Sequence, residues 1–223
     1  ETTRFRSLRD AFIRRLRPGA RTFAGDAATI ASPCDAIVGA HGRVADGAVW
    51  QVKGFPYRLD ELLPDPALAA RFANGAFVTL RLTAAMYHRF HAPADLTVEA
   101  VTYQSGDCWN VNPIALKRVE RLFCRNERAV IEARGAAGQP LLLVPVAAIL
   151  VASIRLTFLD TERTLRERGP GRTSCDVTVT KGTEMGWFEH GSTIVMFLPE
   201  GARLGPELRE GQPIRAGEPL ARW

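Results

Sequence analysis

Four residues have types and surroundings that could do chemistry: Ser192 in Gly191-Ser192-Thr193, the histidines His88 and His91, and Asp35. The Gly-Ser bond lies between two strand-like stretches of KGTEMGWFEHGSTIVMFLP (Lys181 to Pro199). It reads either as a hairpin turn or as a bond that the chain cuts in itself, with Ser192 as nucleophile. A serine hydroxyl needs a neighbouring base to take its proton, and that base needs a group to orient it. His88 and His91, in Met86-Tyr87-His88-Arg89-Phe90-His91-Ala92-Pro93, are three apart and would face the same side on a helical turn; a short turn is expected around Thr83 to Arg89. That spacing suits a metal, but the local sequence offers no third ligand, so acid–base work is expected and no metal. A hydrogen-bonded structural role is the competing reading for either histidine. Asp35, in Ala31-Ser32-Pro33-Cys34-Asp35-Ala36-Ile37-Val38, is a candidate orienter, because an acid amid apolar residues is either exposed at a turn or paired. Turn chemistry alone explains it equally well.

The elements that must position these residues are mostly strands. Ala76 to Leu82, Leu96 to Tyr103, Ala129 to Ala133, Leu141 to Thr157, Asp176 to Thr180 and Thr193 to Leu198 are β-branched or alternating and bounded by turn residues. Arg6 to Arg17 reads as a basic amphipathic helix with Leu8, Phe12, Ile13 and Leu16 on one face, Asp10 paired with Arg14, and Pro18-Gly19 as its stop. Such a stripe docks on the protein's own core or lies on an anionic membrane. Leu59 to Phe72 reads as helix broken by Pro64 and Pro66, and Arg163 to Arg172 as a charged, mobile loop. No βα alternation and no GxGxxG occurs, which argues against a doubly wound nucleotide-binding fold. The expectation is an α+β domain, predominantly antiparallel β with a sandwich- or barrel-like core and a few peripheral helices.

At 223 residues with 46% hydrophobic content, the chain suits one domain with a sizeable core. The apolar run Leu141 to Ile154 carries Pro145 and is too short to span a bilayer. The start, ETTRFRSLRD, lacks the apolar stretch of a signal peptide, and its opening at Glu1 leaves room for an upstream segment. Net charge is +5, and the basic residues are nearly all Arg, so on charge alone both anionic lipid and nucleic acid are open as partners. Cys34, Cys108, Cys124 and Cys175 form no CxxC pair and read as free thiols.

Taken in order, several segments resemble the pyruvoyl-dependent phosphatidylserine decarboxylase family. They are SLRDAFIRRLRPGAR, the Asp35 stretch, NGAFVTLRLTAAMYHRFHAP, GDCWNVN, LFCRNERAVI, KGTEMGWFEHGST and the closing AGEPLARW. The resemblance runs from about Arg6 to the C-terminus. It implies that Asp35, His91 and Ser192 form a self-processing triad and that the bond between Gly191 and Ser192 is cut. A large chain (residues 1–191) and a small chain (residues 192–223) would result from this single domain. Ser192 would become a covalently bound pyruvoyl group, whose ketone condenses with the substrate amine and accepts electrons as carbon dioxide leaves. His88 would contact substrate and supply a proton.

The substrate so implied is phosphatidylserine, the product phosphatidylethanolamine, and the partner an anionic membrane surface rather than nucleic acid. The location implied is the cytoplasmic side of the cell membrane, as a peripheral protein; a homodimer is left open. A decarboxylase of a soluble amino acid with the same machinery, or a non-processing lipid-binding relative, are the alternatives. The sequence departs from the family pattern at Ala36, where Gly follows the aspartate, at His190, where Leu is common, and at Met86, where a charge is frequent.

Overall fold

The computed structural model describes residues 5–23, 25–49, 55–148 and 154–223. Its largest sheet is antiparallel throughout, with eight strands in the order β11 (Gly171–Val179), β7 (Leu96–Gln104), β8 (Arg128–Gly135), β9 (Pro140–Ala147), β13 (Ser192–Leu198), β5 (Ala76–Leu82), β2 (Ala36–Arg43) and β15 (Pro213–Ile214). Two three-stranded sheets accompany it. One holds β1 (Thr29–Ala31), β16 (Pro219–Arg222) and β14 (Arg203–Leu204); the other holds β10 (Ile154–Leu156), β12 (Glu184–Phe188) and β6 (Arg89–His91). A two-stranded pair joins β3 (Ala48–Val49) to β4 (Tyr57–Arg58). The helices are short: α1 (Leu8–Phe12), α2 (Leu59–Leu62), α3 (Pro66–Ala70), α4 (Pro113–Leu116), α5 (Leu122–Arg125) and α6 (Thr161–Arg168). The architecture is α+β and mostly antiparallel, as expected, with no closed barrel among the described residues.

Strand alternation divides the core in two. From β13, Ile194, Met196 and Leu198 join one buried cluster with Phe90, Met185 and Phe188 of the small sheet β10-β12-β6 and with Ile30 and Leu220 of β1 and β16. Val195 and Phe197 turn the other way, into a cluster with Leu59, Leu62, Leu68, Leu122 and Phe123 from α2, α3 and α5. Strand β13 is therefore covered on both faces and buried along its whole length. Ser192 points to the small-sheet side and Thr193 to the helical side.

Several expectations need correction. The Gly191-Ser192 bond is not a hairpin turn: β12 pairs with β10 and β6, whereas β13 pairs with β9 and β5, so residues 189–191 cross between sheets. Arg163 to Arg172 is not a loop. Asp160 caps α6 by accepting from the Arg163 N–H, the pairs Arg163–Glu167 and Glu162–Arg166 span successive turns, and Gly169 at φ 71° ends it. The run Leu141 to Thr157 is split between β9 and β10, which lie in different sheets; its residues 149–153 lie outside the described residues. The N-terminal helix stops at Phe12, well before Pro18, because the Arg89 guanidinium takes the Ile13 carbonyl from Nε at 3.0 Å and from Nη2 at 2.6 Å. Asp10 makes no ion pair with Arg14 among the described residues; Arg14 bonds the Ala11 and Ala85 carbonyls instead.

Candidate active site

Ser192 opens β13, paired to Leu82 of β5 and to Ala147 of β9. It is fully buried, and its Oγ has no hydrogen-bond partner among the described residues. A buried hydroxyl left without a partner costs on the order of 1–3 kcal/mol, so such a group in a central strand calls for a reason. The bond before it is held from both sides. The Gly191 carbonyl oxygen accepts from the Ala148 N–H at 3.0 Å, while Glu189 pairs with Arg9 and lies 3.6 Å from Arg155 Nε. The Ala148 N–H thus already points at the oxygen that would gain charge if the Gly191 carbonyl were attacked. No signal in the sequence marked Ala148, because the contact is made by backbone.

His88 and His91 do not share a helical turn. His91 ends strand β6, and His88 precedes that strand. His88 is buried, its ring 4.6 Å from that of Phe12. The Met86 carbonyl accepts a hydrogen bond from His88 Nδ1 at 2.9 Å, which puts the proton on Nδ1 and leaves the Nε2 lone pair buried without a partner. Burial pushes the His88 pKa down to about 4, helped by the nearby charges of Arg14 and His190, against the upward pull of the Met86 bond.

His91 is fixed in the same tautomer, with Nδ1 donating to the Gly182 carbonyl at 2.9 Å. Its Nε2 accepts from the Tyr87 hydroxyl at 3.0 Å, and the ring of Phe23 lies 5.5 Å away. Burial lowers the His91 pKa, opposed by the Gly182 bond and by the charges of Glu184 and Asp35. Burial also raises the Tyr87 phenol to about 12, so it stays a donor.

Asp35 faces Arg21, whose Nε and Nη2 each take one carboxylate oxygen, and the Ala216 N–H adds a bond to Oδ1 at 3.0 Å. Burial works to raise its pKa, yet the Arg21 and Ala216 bonds outweigh that and hold the carboxyl below its usual range. The backbone brings Asp35 and His91 together, since the His91 N–H donates to the Pro33 carbonyl at 2.8 Å. No hydrogen bond joins Asp35, His91 and Ser192 to one another among the described residues. The Gly182 carbonyl, rather than the Asp35 carboxylate, makes the orienting contact to His91 Nδ1, and the Tyr87 hydroxyl occupies Nε2. Both Tyr87 and Arg21 went unassigned in the sequence.

The three residues that depart from the family pattern make ordinary local contacts. Ala36 is absent from the described residues with positive φ, so β2 begins there with ordinary backbone. His190 bonds the Glu189 carbonyl through Nδ1 at 2.6 Å, and Met86 sulfur accepts from the Thr83 N–H at 3.4 Å. Among the described residues no cluster of His, Cys, Asp and Glu could hold a metal, and all four cysteines are free.

Fold and site together define an α+β protein in which a seryl hydroxyl at the head of a central strand and a buried imidazole nitrogen, His88 Nε2, are both left unpartnered among the described residues. The family model for phosphatidylserine decarboxylase matches residues 8–222. The chain is 40% identical to the phosphatidylserine decarboxylase proenzyme of Anaeromyxobacter sp. (strain K), covering 97% of this chain and 78% of that protein. It is 36% identical to the proenzymes of the same name from Aliivibrio fischeri (97% of this chain, 78% of the relative) and Vibrio cholerae (99% and 80%). The chain belongs to the phosphatidylserine decarboxylase family and is a decarboxylase.

Proposed function

We propose that this chain cuts itself between Gly191 and Ser192 and then converts phosphatidylserine to phosphatidylethanolamine and carbon dioxide. The observation that carries this reading is Ser192 itself: a buried hydroxyl with no partner, next to a glycine whose carbonyl oxygen already receives a backbone N–H. Its relatives' name, proenzyme, agrees with a precursor that must be processed.

The cut begins when Ser192 Oγ gives its proton to His91 Nε2 and attacks the Gly191 carbonyl carbon. The new C–O bond replaces the C–N bond, giving an ester. Loss of the serine α-proton expels the Gly191 carboxylate and leaves dehydroalanine; water then replaces its nitrogen, releasing ammonia and leaving a pyruvoyl group. His91 suits the base role because burial keeps it neutral, with its proton on Nδ1 and its lone pair on Nε2. Tyr87 holds that lone pair and must yield it to Ser192. Ionised Asp35 favours the imidazolium through its charge rather than through a direct bond. The Ala148 N–H steadies the developing oxyanion.

The pyruvoyl group supplies an electron sink for the pair left by departing carbon dioxide. His88 then provides the proton. With a pKa near 4 only roughly one His88 in a thousand is charged at pH 7. A negatively charged substrate against Nε2 would favour the protonated ring, with water as the source of the proton.

Intact-mass measurement tests the reading. The purified chain is expected as two pieces, the smaller starting at residue 192 with a pyruvoyl end, whereas Ser192→Ala stays whole and inactive. A cut and active Ser192→Ala protein would sink the proposal.

A further inference from the structure

Behind Ser192, on the helical side of the large sheet, lies a cavity of about 210 Å³. Its polar wall is Thr79 and Arg81 from β5, Thr193 from β13, and Glu210; Ile37, Val38, Leu116 and Phe123 supply apolar wall. The space is an order of magnitude more than a single water needs. Thr79 and Thr193 are almost fully buried, and neither hydroxyl has a hydrogen-bond partner among the described residues. Arg81 lies directly opposite Thr193 across the β5–β13 ladder, and none of the ion pairs of the described residues includes it. Glu210 shares the wall without pairing to Arg81, so its charge disfavours an anion anywhere but against the guanidinium. One cation and two orphaned hydroxyls on one wall, with Glu210 apart from them and apolar side chains around, match an anion with ester and hydroxyl oxygens and an apolar tail.

We propose that this cavity seats the phosphodiester and glycerol of the phospholipid substrate, with Arg81 as the residue that selects a phospholipid over free serine. The assignment rests on the reading given under Proposed function. In phosphatidylserine only a few bonds separate the amine, which belongs at residue 192, from the phosphorus. Thr193 is the next residue along the strand, and its side chain is part of the cavity. While the 191–192 bond is intact, strand alternation turns residue 192 to the opposite face. After the cut, residue 192 is a free strand end, so a substrate joined to it on the small-sheet side can pass its phosphodiester round that end to the Thr193 face. Helix α4 links the pocket to the outside, for Leu116 lines the cavity while Ile114 is 62% exposed.

Binding to the uncut Ser192→Ala chain tests the proposal without relying on turnover. Calorimetric titration is expected to show binding of glycerophosphoserine and tighter binding of dihexanoyl-phosphatidylserine. Arg81→Gln should weaken both about tenfold or more, Arg81→Lys should restore part of the loss, and the response to free L-serine should not depend on residue 81. Inorganic phosphate at high concentration should compete with glycerophosphoserine. Equal affinity with Arg and Gln at position 81, or no binding by the parent chain, would overturn the assignment. If Arg81→Gln fails to fold, Leu116→Trp fills the same pocket from α4; unchanged glycerophosphoserine binding by that variant would overturn it equally. The chain with Ser192 intact, run beside these, separates the two readings. Failure to cut itself removes the proposed function, whereas normal cutting with no effect of residue 81 removes only this assignment.

Discussion

At the scale of single residues, two histidines of similar sequence context are set up for different work. Both carry the proton on Nδ1, but His91 Nε2 is held by Tyr87, while His88 Nε2 is buried and unpartnered. His91→Ala is expected to leave the chain uncut, whereas His88→Ala cuts normally and loses on the order of 10²-fold or more in decarboxylation. Equal cutting by the two variants, read on a denaturing gel, would end this division of labour. His88 also predicts an acid sensitivity. Its folded pKa, near 4, lies below the ordinary 6.5, so between these values the unfolded chain binds the extra proton. Stability from this group is complete above pH 6.5 and falls as pH drops towards 4, by a few kcal/mol in all. In the uncut Ser192→Ala chain, urea titrations at several pH values should show that slope, and adding His88→Gln should flatten it.

At the scale of elements, the N-terminal strap is what the site leans on. Phe12 covers His88, Phe23 packs on His91, and Arg21 grips Asp35. Gly217 makes that approach feasible: it has φ 92°, and a Cβ there would lie 2.2 Å from the Thr22 carbonyl oxygen. Gly217→Ala is expected to cost about 2 kcal/mol or more in urea unfolding and to slow self-cutting as Arg21 is pushed from Asp35. A variant as stable as the parent, cutting at the same rate, would show that the strap is dispensable. Much of this frame was legible in the sequence, because its signals are local. Ala76–Leu82 was delimited by its β-branched pattern, and the prolines marked the break between α2 and α3. Ser192, His88, His91 and Asp35 stood out by residue type. What stayed hidden depends on distant partners: the Arg89 side chain that ends α1, and the placement of β12 and β13 in different sheets. For α6 the signals are local, an Asp160 cap and Glu–Arg spacing, yet Gly169 and Pro170 directly behind them are equally the signature of a loop. Tyr87 and Gly182 reach His91 through a hydroxyl and a carbonyl that no spacing announces.

At the scale of the whole molecule, the proposed substrate is a membrane phospholipid, and acting on it requires the chain to meet a bilayer; no described helix is long and apolar enough to cross one. Adsorption to a bilayer needs apolar side chains facing out with cations around them. Ile114 and Trp109 are 62% and 45% exposed, and Lys117, Arg118 and Arg121 are exposed in the segment that follows. The two contributions separate experimentally, because inserting an apolar side chain is insensitive to salt, whereas attraction of Arg and Lys to anionic headgroups is screened. The Debye length falls from about 8 Å at physiological ionic strength to about 3 Å at 1 M. Sedimentation with phosphatidylserine-containing vesicles is therefore expected to weaken steeply with added salt. Ile114→Ser should reduce binding by roughly tenfold at fixed salt, the worth of one inserted aliphatic side chain. Its slope against salt should stay close to that of the parent chain, since the cations are untouched. Binding indifferent to both salt and residue 114 would place the membrane-facing surface elsewhere, with the exposed Leu8 at the start of α1 and Phe5 just before it the next to substitute.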